Sequence, residues 1–133
     1  MQGSIAAVPP PVAAPVESER PKWTPKELRR LRSEVVAERS RALRPLETRI
    51  AAVEKSVETN DASLRELNAQ LVKASQERNG AKVVEVSKTM HQTKKTIDGL
   101  LEELEKLTAE YEDKKAGYDK RMRDLDEEEG VKS

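Results

Sequence analysis

Residues 64–93 carry the pattern that decides the fold: LRELNAQLVKASQERNGAKVVEVSKTMHQT. On both sides of the polar break at residues 75–80, apolar residues recur alternately three and four positions apart. This spacing is typical of the seam of a coiled coil. The Asn-Gly pair that closes the break is a turn signal. A connection this short favours antiparallel neighbours, so the stretch predicts two helices that fold back on each other.

The same spacing continues outward from the break as two seven-residue ladders, one in each predicted helix. The first ladder contains Leu43, Leu46, Ile50, Val53, Val57, Asn60, Leu64, Leu67, Leu71 and Ala74. The second contains Val83, Val86, Met90, Thr93, Ile97, Leu100, Leu104, Leu107 and Tyr111. Folding at the break pairs them from Ala74/Val83 to Leu46/Tyr111, and the two numbers of each pair sum to 157. The constant sum means that the two seams can close on each other without slipping.

The start of the first helix is marked by several agreeing signals. Thr24 is suited to the N-cap, Pro25 to the first helical position, and Glu27 completes a capping box. Trp23 and Leu28 are placed to form a hydrophobic staple, which explains the tryptophan without a ligand. These signals predict a helix that begins directly after Thr24.

Pro45 interrupts the helical pattern. Its ring removes a backbone donor and crowds the carbonyl of Arg41, so we expect a kink or break there. We therefore predict an all-α fold: an antiparallel two-helix coiled-coil hairpin at 23–126, with a short N-terminal helix kinked at Pro45. The predicted segments are a Pro/Ala-rich flexible linker at 1–22, a short helix at 24–44, an outgoing helix at 46–74, a turn at 75–80, a returning helix at 81–126 and an acidic disordered tail at 127–133.

Polar and aromatic residues within the ladders are interpreted as structural. Asn60 faces Ile97 and is predicted to fix the register at some cost in stability. Thr93 is a milder case. Tyr111 lies in the seam opposite Leu46 and is predicted to belong to the core.

Composition limits the possible functions of the 133 residues. They are 38% charged and 2% aromatic with no cysteine, which disfavours a compact core with a buried cleft and excludes thiolate chemistry. The sole histidine, His91, has no partner for a metal site and is interpreted as a surface residue. No apolar run approaches the roughly 18 residues of a membrane span, and no signal peptide is evident. We therefore expect a cytoplasmic chain that is not an enzyme, has no membrane association and contains no cofactor.

The formal net charge is zero, but two zones are basic. Residues 25–49 carry eight cations and four anions, and residues 73–95 carry six and two, so each zone has a balance of +4. Arginine binds phosphate in a bidentate way, and basic zones can meet a polyanion locally. The candidate nucleic-acid-binding residues are Lys26, Arg29, Arg30, Arg32, Arg39, Arg41, Arg44, Lys73, Arg78, Lys82, Lys88, Lys94 and Lys95. The alternative is a solvated surface with helical ion pairs such as Arg30/Glu34 and Glu38/Arg41.

Residues 26–47, KELRRLRSEVVAERSRALRPLE, resemble the C-terminal extension of ABC-F proteins, the cytoplasmic twin-cassette ATPases of the Uup and YheS types. Further similar stretches are LVKASQ at 71–76 and LLEELEKL at 100–107. The resemblance covers about residues 22 to 122. It implies a coiled-coil hairpin attached to ATPase cassettes that bind ATP and Mg, and a role in binding DNA or contacting the ribosome. Both cassettes are absent, since no Gly-x-x-x-x-Gly-Lys-[Ser/Thr] motif occurs, so no ATP chemistry is implied for these residues.

Three hypotheses follow for the function. The first is a nucleic-acid-binding arm, for DNA or ribosomal RNA, that grips the phosphate backbone as a monomer. The second is a protein-interaction or spacer coiled coil without nucleic-acid binding. The third is a self-associating chain, which the mirrored register disfavours but which an exchanged dimer would allow.

Overall fold

The computed structural model describes residues 23–132. They form two long helices, α1 (Pro25–Gln76) and α2 (Gly80–Lys132). The helices pack antiparallel, which confirms the predicted all-α helical hairpin. The predicted linker at 1–22 and Ser133 lie outside the described residues.

The chain divides into two compact units. The terminal unit comprises, of the described residues, 23–41, which include the first part of α1, and 115–132 of α2. The turn unit comprises Ala42–Lys114 and contains the connection between the helices.

In the terminal unit, α1 begins as the sequence predicts. The backbone N–H of Thr24 donates to Glu27 Oε1 at 2.9 Å, and the Glu27 N–H donates to Thr24 Oγ1 at 3.1 Å. These reciprocal bonds form the expected capping box and satisfy donors that have no partner inside the helix. Leu28 is only 1% exposed and Trp23 is half-buried, in keeping with the predicted staple.

Of the kink or break predicted at Pro45, the break does not occur, because the segments expected at 24–44 and 46–74 form one continuous helix. A proline inside a helix costs about 3 kcal/mol through its missing N–H and its clash with the preceding turn. Packing within the turn unit holds the chain on both sides of this position. Leu43 is 2% exposed and Leu46 is half-buried, whereas the ring of Pro45 lies exposed.

The predicted seam is where the side chains of the turn unit are least exposed. Every residue of both ladders is buried or half-buried. Four of them are nearly inaccessible: Leu43, Val53, Ala74 and Val86. Asn60 is half-buried, and its Nδ2 donates to the Ser56 carbonyl of its own helix at 2.8 Å. The amide is thus satisfied within α1.

The turn lies within the predicted segment but uses its residues differently. The N–H of Asn79 donates to the Ala74 carbonyl at 2.9 Å, and that of Arg78 donates to the Ser75 carbonyl at 3.1 Å. This is the Schellman arrangement, whose left-handed position is usually glycine. Here Arg78 occupies it, with φ of 56°, while Gly80 has no positive φ and begins α2. The Asn79 side chain caps α2 by accepting from the Lys82 N–H at 3.1 Å.

At its other end, α2 runs to Lys132, beyond the predicted end at 126. The tail predicted to be disordered at 127–133 is therefore helical as far as Lys132. Arg32 of α1 supplies a physical reason, because its Nη2 contacts both Asp126 and Glu129, one helical turn apart. These two ion pairs hold the last turns of α2 against α1 in the terminal unit.

Two glycines lie inside α2 without a steric requirement for glycine. A Cβ atom at Gly99 or Gly117 would meet no atom within 4 Å. Nothing in the structure explains their presence.

Candidate nucleic-acid interface

Three of the six candidate cations of the terminal unit lie close to carboxylates: Arg30, Arg32 and Arg39. Arg32 Nη2 donates to Asp126 Oδ1 at 2.5 Å and to Glu129 Oε1 at 2.7 Å. The hydrogen bond to Glu129 is the main cause of a raised pKa at Arg32. The Arg32 Nε is buried without a hydrogen-bond partner, so only part of the guanidinium is satisfied. This geometry gives Arg32 a role in holding the two helices together.

A second cross-helix pair lies in the same unit and includes a residue that the sequence interpretation missed. Arg121 Nη1 donates to Glu38 Oε2 at 2.9 Å. This hydrogen bond, followed by the charge of Arg121 and that of Arg41, lowers the pKa of Glu38. The Arg121 guanidinium also lies 5.4 Å from the centroid of the Tyr118 ring, within the range of a cation–π contact.

Two further candidates in this unit have acidic neighbours. Arg39 Nε lies 3.5 Å from Asp119 Oδ1 without forming a hydrogen bond. Arg30 pairs with Glu34 at 3.9 Å, as the sequence spacing predicts. By contrast, Lys26, Arg29 and Arg41 are exposed and form no ion pair with another described residue. The terminal unit therefore contains both engaged and free cations.

In the turn unit the candidate cations are mostly free. Lys82 lies 3.5 Å from Glu85, one helical turn away. The remaining candidates are exposed and form no ion pair within the described part of the chain. They are Arg44, Lys73, Arg78, Lys88, Lys94 and Lys95.

One open groove of the turn unit joins cations from both helices. It has a volume of about 540 Å³ and is lined by Leu64, Arg65, Asn68, Met90 and Lys94. Arg65 was not among the sequence candidates, because it lies outside both basic zones. Its place beside the seam residue Leu64 is the sequence signal that could have identified it.

Polar contacts across the turn unit agree with the antiparallel seam. Arg49 donates to Glu103 of the facing helix through both Nε and Nη2. The Tyr111 hydroxyl donates to Glu47 Oε2 at 3.0 Å, beside its predicted seam partner Leu46. Tyr111 is half-buried, in agreement with its assignment to the core.

Other classes of site find little support between residues 23 and 132. His91 is exposed, as predicted. No group of three or more potential metal ligands occurs in this part of the chain. Neither described helix combines the length and hydropathy needed to cross a membrane.

Comparison with known proteins leaves the family open. No family model matches the chain. No curated protein and no solved structure matches it either. The ABC-F assignment therefore remains a prediction from the residues.

Proposed function

We propose that this chain is a nucleic-acid-binding helical hairpin, the C-terminal arm of a cytoplasmic ABC-F-type ATP-binding protein. The observation that carries the proposal is the set of exposed, unpaired cations in the turn unit. A lysine engaged by a carboxylate is already neutralised locally, whereas a free lysine keeps its counterions until a polyanion displaces them. Release of those counterions drives binding to a phosphate backbone.

Phosphate contact by such side chains positions a nucleic acid without selecting its sequence. The arm would therefore bind DNA or ribosomal RNA through backbone charge and shape, as a monomer. ATP and Mg would belong to the cassettes of the parent protein, and those cassettes would be a second partner. The residues of this chain would have no catalytic role.

The first test is fluorescence anisotropy of labelled duplex DNA and duplex RNA, titrated with the full chain across a salt series. We expect binding at about 50 mM salt that weakens linearly when log K is plotted against log salt concentration. Absence of binding to both duplexes at that salt concentration would contradict the proposal. A preference for one duplex would select between a genomic and a ribosomal role.

A matched pair of triple variants then locates the contact. Lys88→Gln, Lys94→Gln and Lys95→Gln remove three free cations from the turn unit. Arg29→Gln and Arg41→Gln in the terminal unit, with Arg44→Gln, remove three others. We expect the first variant to weaken binding more than the second, by tenfold or more at about 50 mM salt, because counterion release multiplies over contacts. The opposite order would mean that the three turn-unit lysines are not the main contact with the nucleic acid.

A protein-interaction coiled coil is the second candidate function. It is favoured by apolar side chains that remain exposed outside the seam, among them Val84 at 65% and Val36 at 51%. If the full chain binds neither duplex, these side chains become the first positions to test. Substituting Val84→Ser should then weaken binding to the ATPase cassettes, measured by calorimetry with the separate proteins.

A further inference from the structure

The residues that directly follow seam residues define one face of the turn unit. Near the turn, α1 contributes Arg65, Asn68, Val72 and Ser75, and each follows a residue of the first ladder. Their spacing of three, four and three places them on one side of the helix.

On α2 the same rule gives Val84, Ser87, His91 and Lys94. Two antiparallel helices are related by an approximate two-fold axis normal to their common plane, so positions that follow the seam lie on the same side in both. The groove lined by Arg65 and Asn68 of α1 and Lys94 of α2 shows this juxtaposition directly. We call these eight residues the cationic face.

The cationic face contains no carboxylate. Its cross-helix neighbours are Arg65/Lys94, Asn68/His91, Val72/Ser87 and Ser75/Val84, each with numbers that sum to 159. All eight side chains are exposed, including Val72 at 50%. The uncharged residues between the Arg65/Lys94 pair and the turn add no repulsion for an anionic backbone.

Further from the turn, the same side of the hairpin reverses its charge. The first pair beyond Arg65/Lys94 is Asp61/Asp98, again with a sum of 159. The positions that continue the series on α1 include Glu47, Glu54 and Glu58. Those on α2 include Glu105 and Glu112. The change from cationic to acidic thus occurs within one helical turn, and it occurs on both helices at the same level.

We propose that the cationic face receives a phosphodiester backbone and that the Asp61/Asp98 pair sets the inner limit of the contact. This inference rests on the proposed function and deepens it by assigning the face and the extent of the site. Residues 65–75 rise about 15 Å along α1, which matches roughly four phosphates of one strand. The ligand is therefore a short stretch of backbone in the groove between the helices, flanked by Arg65 and Lys94.

The groove distinguishes this face from the other lysines of the turn unit. Arg65 and Lys94 border the same open groove from two helices, so a backbone lying in the groove would run beside both side chains. Lys55 of α1 and Lys106 of α2 are exposed and do not line the groove. They provide a matched control with the same number of cations.

The test compares two double variants of the full chain by anisotropy with the better-bound duplex. Arg65→Gln with Lys94→Gln should weaken binding on the order of tenfold and reduce the salt slope by about 2. Lys55→Gln with Lys106→Gln should weaken it less than about threefold. Equal losses, or a larger loss in the second variant, would overturn the assignment of the face while leaving the proposed function intact. Absence of binding by the unmodified chain would overturn both.

The inner limit has its own test. Asp61→Asn with Asp98→Asn should tighten binding about threefold by removing repulsion next to the groove. Glu66→Gln with Glu102→Gln removes two carboxylates from other sides of the helices and should change binding less. Equal effects of the two pairs would mean that net charge, and not the Asp61/Asp98 pair, controls binding. Circular dichroism checks that every variant remains helical.

Discussion

The basic side chains of the terminal unit and those of the turn unit have different surroundings. In the terminal unit, Arg32 and Arg39 meet carboxylates of α2, and Arg121 of α2 meets Glu38 of α1. In the turn unit, Lys88, Lys94 and Lys95 meet none among the described residues. The difference teaches that a basic residue becomes a candidate for binding only where the facing helix leaves it unpaired.

The contrast extends to what holds each unit together. The turn unit depends on its apolar seam, with Leu43 and Val53 each 2% exposed, and has the cross-helix ion pair between Arg49 and Glu103. The terminal unit has a buried seam at Leu28 and Val35 and has more cross-helix ion pairs, made by Arg32, Arg39 and Arg121. Exposed ion pairs contribute little to stability, so the seam should dominate in both units.

The largest expected effect comes from shortening a seam side chain. Leu43→Ala should lower the free energy of unfolding by about 3 kcal/mol, because it removes buried apolar surface and leaves a cavity. Chemical denaturation followed by circular dichroism measures the change. Leu101→Ala is the matched control, since Leu101 is 46% exposed and should lose less than about 1 kcal/mol. Similar losses for both would show that the seam does not carry the stability of the turn unit.

Replacing the polar residue of the seam should act in the opposite direction. Asn60→Leu should raise the free energy of unfolding by about 1–2 kcal/mol, because it buries apolar surface where an amide now bonds only within its own helix. The exposed Asn68→Leu is the control and should have a small effect. If sedimentation shows that Asn60→Leu changes the number of chains in the particle, Asn60 has the predicted role in register and partner choice.

A smaller gain is expected at the turn. Arg78→Gly should stabilise the chain by about 1 kcal/mol, because a left-handed conformation costs a side-chain-bearing residue about that much. Gly80→Ala tests whether the glycine of the turn is needed for its backbone conformation. Gly80 lacks a positive φ and has open space around its Cα, so alanine should be tolerated or mildly stabilising. Destabilisation by Gly80→Ala together with no gain from Arg78→Gly would contradict this turn.

The smallest effect concerns the ion pairs of the terminal unit. The folded-state pKa of Glu38 is lowered, chiefly by its hydrogen bond to Arg121. The resulting stabilisation is present above the ordinary value of 4.5 and is lost as the pH falls through the lowered folded pKa. Thermal melts below about pH 4.5 should therefore show a slightly smaller acid-induced loss for Glu38→Gln than for the unmodified chain. Arg121→Gln should remove the same pH-dependent stabilisation. Identical pH profiles for all three proteins would show that the Glu38–Arg121 pair makes no such contribution.

Local sequence signals predicted much of this fold. The ladders identified the buried residues, and the capping box placed the start of α1 at Pro25. The two helices predicted on either side of Pro45 form one, because the cost of a proline is local whereas the packing of Leu43 and Leu46 is tertiary. The Asn-Gly signal located the turn but not its left-handed residue, which is Arg78.

The candidate site was less predictable for a related reason. The i,i+4 pair Arg30/Glu34 could be predicted from spacing, and it forms. Glu38 hydrogen-bonds Arg121, 83 positions away, where spacing had suggested Arg41. Arg65 was missed because a count of charge along the chain ignores which side of the helix each residue occupies.

The left-handed arginine of the turn also bears on how copies of the chain could exchange helices. If residues 77–79 became helical, Arg78 would lose its strain and α1 would continue directly into α2 as one rod. An opened rod could satisfy its ladders only by pairing with a second opened rod. With glycine at position 78, opening the turn would relieve less backbone strain. The arginine therefore makes opening at the turn more favourable, and high protein concentration would then favour an exchanged dimer.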